Sequence, residues 1–252
     1  MTRSEADRAK HAIRQRVWAS LDQADAAFQP TTSGRIPDFR GKEQAAGRLA
    51  ALSEWHAAAV VKANPDKAQH PVRAAALRDG KLLYMAVPRL ATPKPFYLLD
   101  TARLAVPAPD AVTSDGAARH AGTVAVADMQ PVDLIVCGTV AVSLSGARVG
   151  KGGGFSDIEV ALLTEAGLIS PPTVIVTTVH DLQVLDEDLP ETEHDFSVDV
   201  IVTPTRVIAC GPPRRPRGLY WDHLDPGKIS AIPALKNHAA RSSKAAHQGA
   251  GG

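Results

Sequence analysis

The sequence predicts an α/β fold with a mainly parallel sheet covered on both faces, and three observations carry that reading. Strand-like runs alternate with helical runs along most of the chain, as the crossovers of a parallel sheet require. The apolar run 132–142 reads as a buried strand, and the β-branched run 173–179 as another. Between them lie a loop with five glycines and a helical run that starts at Ser156, so the stretch reads as strand, glycine loop, helix, strand.

In chain order, Thr2 or Ser4 can cap a first helix running to about Ala27, with Ile13, Val17 and Leu21 as its apolar stripe. Lys10 and Arg14, four apart, share another face. Spacing alone reads them as a solvated basic face, because like charges at that spacing repel unless an anion lies between them. Residues 29–38, with Pro30, Gly34 and Pro37, form a loop. A helix follows at 42–52 and a short strand at 57–62. Asn64-Pro65-Asp66 turns the chain into a helix at 72–79, closed by Gly80. Residues 81–87 form a strand ended by Pro88, and 96–99 another. Residues 107–116 read as a loop and 123–126 as a strand. Beyond 173–179, Asp186-Glu187-Asp188 and 190–195 read as an acidic, solvated loop, and 197–203 and 206–210 as strands. Residues 237–252 are expected to form a disordered tail, leaving 1–236 as a single domain.

Composition narrows the function classes. Net charge is +1, so no global field draws the chain to nucleic acid or to an anionic membrane. No apolar stretch approaches the roughly 20 residues of a spanning helix, and the N-terminus has no signal-peptide core, so the cytoplasm is the expected compartment. Cys137 and Cys210 lie in apolar runs and read as reduced, buried small hydrophobes. No Cys/His cluster has zinc spacing. Arg214, Arg215 and Arg217 read as a solvated basic loop.

The chemistry concentrates at Gly146-Ala147-Arg148-Val149-Gly150-Lys151-Gly152-Gly153-Gly154-Phe155-Ser156-Asp157. Its spacing fits neither a Walker A loop nor a dinucleotide fingerprint. It does place backbone N–H groups without side chains in the way beside two cations and a helix start. That combination binds anions, most often phosphate. Ser156-Asp157-Ile158-Glu159 has the pattern of a capping box, and Gly167 can close the helix.

At these residues the chain resembles the 5-formyltetrahydrofolate cyclo-ligase (methenyltetrahydrofolate synthetase) family. That family carries G-x-R-x-G-x-G-G-G-Y-Y-D-R, matched here by Gly146, Arg148, Gly150, Gly152, Gly153, Gly154, Phe155 and Asp157. Leu189-Pro190, His194-Asp195 and 198–203 resemble its L-P-x-x-x-H-D-x-x-V-D-x-V-x-T run, and Lys10 with Arg14 its K-x-x-x-R pair. The blocks span most of the chain up to about Cys210. Arg35-Ile36-Pro37-Asp38-Phe39, 62–67, Pro88-Arg89-Leu90 and Asp157-Ile158-Glu159 look like the methenyltetrahydrofolate synthetase domain-containing subgroup. Some members of that subgroup carry a further RNA-recognition module, and no aromatic platform for one is visible after Cys210.

The resemblance implies a three-layer α/β/α domain of the NagB/RpiA/CoA-transferase-like kind that binds MgATP and a reduced folate. It implies conversion of 5-formyltetrahydrofolate to 5,10-methenyltetrahydrofolate through a phosphorylated formyl group. Carried over by position, Lys10, Arg14, Gly150, Gly152, Gly153, Gly154 and Phe155 would hold ATP. Arg148 and Lys151 would act on the transferring phosphoryl group, and Asp157 would help hold Mg²⁺. Two positions depart from the pattern: Ser156 stands for its second tyrosine and Ile158 for its second arginine. They motivate an alternative, a non-catalytic nucleotide- or folate-binding or regulatory protein on the same fold. No nucleic-acid or membrane partner is expected, and the oligomeric state is open. His180-Asp181 is not expected to form a dyad, because adjacent strand residues face opposite ways. Trp55 and Trp221 read as packing residues.

Overall fold

The computed structural model describes residues 2–104 and 106–236; the tail expected at 237–252 lies outside them. Its strands are β1 (Val60–Ala63), β2 (Leu82–Ala86), β3 (Phe96–Leu99), β4 (Gly122–Val124), β5 (Leu134–Cys137), β6 (Ala141–Ser143), β7 (Arg148–Val149), β8 (Val174–Thr178), β9 (Val184–Leu185), β10 (Val200–Val202) and β11 (Val207–Ala209). Its α-helices are α1 (Arg3–Gln23), α2 (Lys42–Ala50), α3 (Ser53–Ala57), α4 (His70–Arg78), α5 (Ala108–Ala111), α6 (Ser114–His120), α7 (Phe155–Glu165) and α8 (Pro226–Ala231).

Among the described residues, eight strands form one sheet in the order β11-β10-β8-β5-β1-β2-β3-β4. The five central strands pair in parallel, and β11, β3 and β4 add antiparallel edges. The expected α/β architecture is therefore present. Side chains alternate across the pleat, and both sets are apolar. Val61, Ala63, Leu134, Val136 and Val176 face a core closed by α2, α4 and α6. Val60, Ile135, Cys137, Ile175 and Ile201 face the other, closed by α7 and by residues of 219–235.

Two segments differ most in secondary structure from their sequence reading. The run 132–142 is not one strand. It breaks after Cys137, and β6 joins a separate three-stranded sheet with β7 and β9. The break falls at Gly138, where a Cβ would lie 2.7 Å from Asp66 Oδ2 and 3.2 Å from Gln69 Oε1. An apolar run cannot reveal such a change of sheet, since both halves are buried. The stretch 107–116 is not a loop: it carries α5 and the start of α6. Thr113 caps α6 by accepting from the Gly116 N–H at 2.8 Å, and Pro at a helix start hid the signal.

The hairpin β6–β7 matters for function. Val17, Trp18 and Leu21 of α1 pack on Val140, Ala141 and Val149 of the small sheet. This contact brings α1 alongside the loop 150–154 that follows β7. Gly146 belongs to the hairpin turn, donating to the Ser143 carbonyl at 3.0 Å and accepting from Val198 N–H at 2.9 Å.

Candidate anion-binding site

The loop 150–154 lies between β7 and α7, beside the amino-terminal half of α1. It borders a pocket of about 380 Å³. All ten residues singled out from the sequence line that pocket: Lys10, Arg14, Arg148, Gly150, Lys151, Gly152, Gly153, Gly154, Phe155 and Asp157. Among the described residues, the N–H groups of 151–154 donate to no protein acceptor. Gly152 (φ 103°) and Gly154 (φ 67°) take conformations that a side chain resists. Gly154, in the left-handed region, is the N-cap of α7, so the helix starts at Phe155 and no side-chain cap bond forms. The expected capping box is thus absent: Ser156 sits inside the first turn, where its Oγ accepts from Asn64 Nδ2 at 2.8 Å. Gly154→Ala is expected to cost about 1–2 kcal/mol. A fall in Tm of roughly 2–8 °C in a thermal melt would check it.

Arg148 lines the pocket from β7. It is 5 % exposed, its Nη2 donates to Asp157 Oδ1 at 3.2 Å, and its guanidinium lies 4.2 Å above the Phe196 ring. Its Nε and Nη1 have no partner. A Cβ on Gly150 would come within 3.2 Å of Nη1, so glycine is what lets this loop pass over the guanidinium. Burial pulls the guanidinium down, but Asp157 foremost, with Asp195 and Glu159, holds it above its ordinary value. Two buried N–H donors left unpaired beside a glycine-walled pocket are costly in isolation and suited to an anion.

Lys10 and Arg14 do not form the solvated face that spacing suggests. Lys10 is 6 % exposed and binds Asp195 Oδ2 at 2.5 Å. Arg14 Nε donates to the Gly150 carbonyl at 2.6 Å, which pins the loop to α1. Burial lowers the Arg14 pKa. Lys151 is half exposed and reaches Asp66 at 3.6 Å.

The acidic stretch is not wholly solvated either, since Asp195 is buried. Asp195 also accepts from the Thr192 N–H at 2.6 Å and hydroxyl at 2.7 Å. Burial pushes its carboxyl up, but the Lys10 hydrogen bond and charge with the Thr192 bonds hold it below the ordinary value. Between the lowered folded value and the ordinary carboxylate value, the unfolded chain binds more protons than the folded one. Asp195 therefore stabilises the fold above the ordinary carboxylate pKa of about 4, and that contribution fades as pH falls through the lower folded value. Asp195→Asn should cost roughly 3 kcal/mol at pH 7 and flatten the acid limb below about pH 4. Parallel acid titrations of wild type and variant, followed by circular dichroism, would check it.

Beneath the first turn of α7 lies a buried polar network. Lys62 of β1 is 1 % exposed, pairs with Glu159 and donates to Asn64 Oδ1 at 2.6 Å. Asn64 then donates to Ser156, so β1 is tied to the helix that carries Asp157. Arg73, fully buried, donates to the carbonyls of Asn64 and Asp66, the latter at 2.9 Å, and burial brings it down to about 10. Glu159 is a core residue rather than a cap. Ile158 is 4 % exposed within the apolar core, so no cation stands there.

The model of the 5-formyltetrahydrofolate cyclo-ligase family matches residues 6–204. The chain belongs to that family. Two relatives described as methenyltetrahydrofolate synthase domain-containing proteins agree. The mouse protein is 38 % identical over 94 % of this chain and 64 % of its own length, and the human protein 36 % over 94 % and 63 %. The chain thus spans a little under two thirds of these relatives. The solved 5,10-methenyltetrahydrofolate synthetase of Aquifex aeolicus is similar in fold. It has a TM-score of 0.52 and 22 % identity, and the match covers 85 % of this chain and 99 % of that one.

In this cyclo-ligase family member the pocket also takes Arg3 and Asp7, which the sequence reading does not single out. Arg3, Asp7, Lys10 and Arg14 all line the pocket from α1, at spacings of four, three and four. That stripe is visible in the sequence. His194 and Asp195 were legible only as a loop resembling the family run. Burial lowers the His194 pKa. His180 and Asp181 form no dyad: His180 Nδ1 accepts from Leu182 N–H at 3.2 Å, while Asp181 accepts from Thr203 and Thr205. Trp55 donates to Asp79 at 2.9 Å inside a core. Arg214 and Arg217 are exposed, as a solvated basic loop has them, while Arg215 is half-buried; Arg214 pairs with Glu191 and Arg215 with Asp199. Among the described residues no helix is long and apolar enough to cross a membrane, and no cluster of three or more His, Cys, Asp or Glu could hold a metal.

Proposed function

We propose that the chain is an ATP- and Mg²⁺-dependent 5-formyltetrahydrofolate cyclo-ligase. The observation that carries this is Arg148, buried with Nε and Nη1 unpaired against a glycine loop whose N–H groups have no protein acceptor. These donors fit a triphosphate. Asp157 fits Mg²⁺ as a single carboxylate, because Mg²⁺ commonly takes one or two carboxylates plus phosphate oxygens and water. When bound, MgATP supplies the phosphoryl group that turns the formyl oxygen into a leaving group, so that N10 can close the ring.

In this reading Lys10, Arg14 and the amides of Gly150, Gly152, Gly153 and Gly154 hold the phosphates, with Phe155 closing the loop side. Arg148 and Lys151 neutralise charge that grows on the transferring group. Phosphoryl transfer depends mostly on such positioning and neutralisation. The test is the absorbance of methenyltetrahydrofolate formed from 5-formyltetrahydrofolate and MgATP. No product at high protein concentration would reject catalysis.

A second reading, a non-catalytic nucleotide or folate binder, has a specific observation in its favour. Ser156 is committed to Asn64, and Ile158 is committed to the core. Saturable binding of ATP by calorimetry without turnover would select it.

A further inference from the structure

The family match ends at residue 204, but the pocket does not. Residues 218–228 return to it and are clasped in place at two points. Leu219 N–H donates to Glu165 Oε1 at the end of α7 at 2.7 Å, and Arg3 Nη2 donates to the His223 carbonyl at 2.6 Å. The returning segment brings two things to the glycine loop.

The first is Lys228. Its Nζ lies 2.9 Å from where a Cβ of Gly154 would stand, and it lines the same pocket as Arg148 and Arg14. Among the described residues it has no carboxylate within ion-pair reach. The pocket already holds Arg3, Lys10, Arg14, Arg148 and Lys151, of which Lys10, Arg148 and Lys151 are paired with Asp195, Asp157 and Asp66. A further unpaired cation among so many is unfavourable unless an anion of several charges occupies the site.

The second is a narrow slot of about 100 Å³ that opens beside the pocket and shares Gly154, Asp157, His194 and Lys228 with it. Ile158 and Ala161 of α7 form one wall, and Leu219 and Leu224 line the slot with them. Tyr220 and His223 stack at 5.4 Å and 12°, and His194 meets His223 edge-on at 6.0 Å. His223 Nδ1 is buried without a partner. Apolar sides, aromatic edges and one unsatisfied ring nitrogen suit a flat nitrogen heterocycle.

We propose that the 218–228 segment completes the nucleotide site: Lys228 contacts the phosphates, and the Tyr220–His223 slot takes the base of the same nucleotide. This rests on the reading of the glycine loop as a triphosphate cradle and extends it to residues outside the family match. It also explains how a positive charge reaches the loop on the side where Ile158 brings none.

The test is calorimetry on the full chain with two probes, MgATP and Mg-tripolyphosphate, which has the phosphates without the base. Lys228→Ala is expected to weaken both by about tenfold. His223→Ala and Tyr220→Ala are expected to weaken MgATP by about tenfold and to leave tripolyphosphate unchanged, which also reports that the variants are folded. Wild-type binding of both probes that Lys228→Ala does not alter overturns this proposal alone. Equal losses for both probes in the Tyr220 and His223 variants overturn the base slot. So does a loss of 5-formyltetrahydrofolate binding with MgATP binding intact. If wild type binds neither probe, the triphosphate reading falls and this proposal with it.

Discussion

Arg148→Met is expected to weaken MgATP binding by roughly a hundredfold or more while the chain stays folded. The side chain is buried, yet Nε and Nη1 have no protein partner. Hydrogen bonds to charged groups contribute about 1.5–3 kcal/mol each, so two such bonds to a phosphate amount to at least about 3 kcal/mol. At about 1.4 kcal/mol per tenfold, that is two orders of magnitude. Methionine keeps a polarizable contact with the Phe196 ring, and Asp157, partly exposed, can be solvated when its partner is gone. Arg148→Lys should fall between, because it keeps the charge but loses the planar fork. Calorimetric titration with MgATP measures all three. Wild-type affinity in Arg148→Met would remove the observation on which the proposed function stands.

Glu159→Leu and Lys62→Met are each expected to destabilise the fold by about 3–5 kcal/mol, since each leaves a buried charge alone. That corresponds to a drop in Tm of at least roughly 6 °C. The double variant should recover most of the loss, because two apolar side chains in that place need no partner. It should not recover nucleotide affinity fully, because Asn64 loses the Lys62 ammonium that orients it toward Ser156. Denaturant melts of the four proteins would separate these outcomes. Additive losses in the double variant would show that Lys62 and Glu159 act independently and that the network does not tie β1 to α7.

Much of the site was legible because its parts are local in sequence. The glycine loop, Arg148 and the start of α7 fall within one short stretch, and glycines in series beside cations have few other uses. The spacing of Lys10 and Arg14 showed that they share a helix face. It could not show what that face meets, because the partners are Asp195 and the Gly150 carbonyl, far along the chain. Glu159 was misread for the same reason. In the local pattern it completes a capping box, but Lys62 draws it into the core, and the helix is capped by Gly154, two residues earlier than the pattern suggests.

By itself, the sequence determined the alternation of strands and helices, the two-faced burial of the sheet and the loop that can cradle an anion. These follow from periodicity and backbone freedom, which are properties of neighbouring residues. Only the tertiary structure decided that the apolar run 132–142 divides between two sheets, that the hairpin swings α1 onto the loop, and that Lys62 finds Glu159. Tertiary structure alone also carried residues 218–228 back to the pocket. Those outcomes turn on which buried groups must satisfy one another across long separations, and no local pattern encodes a partner that distant.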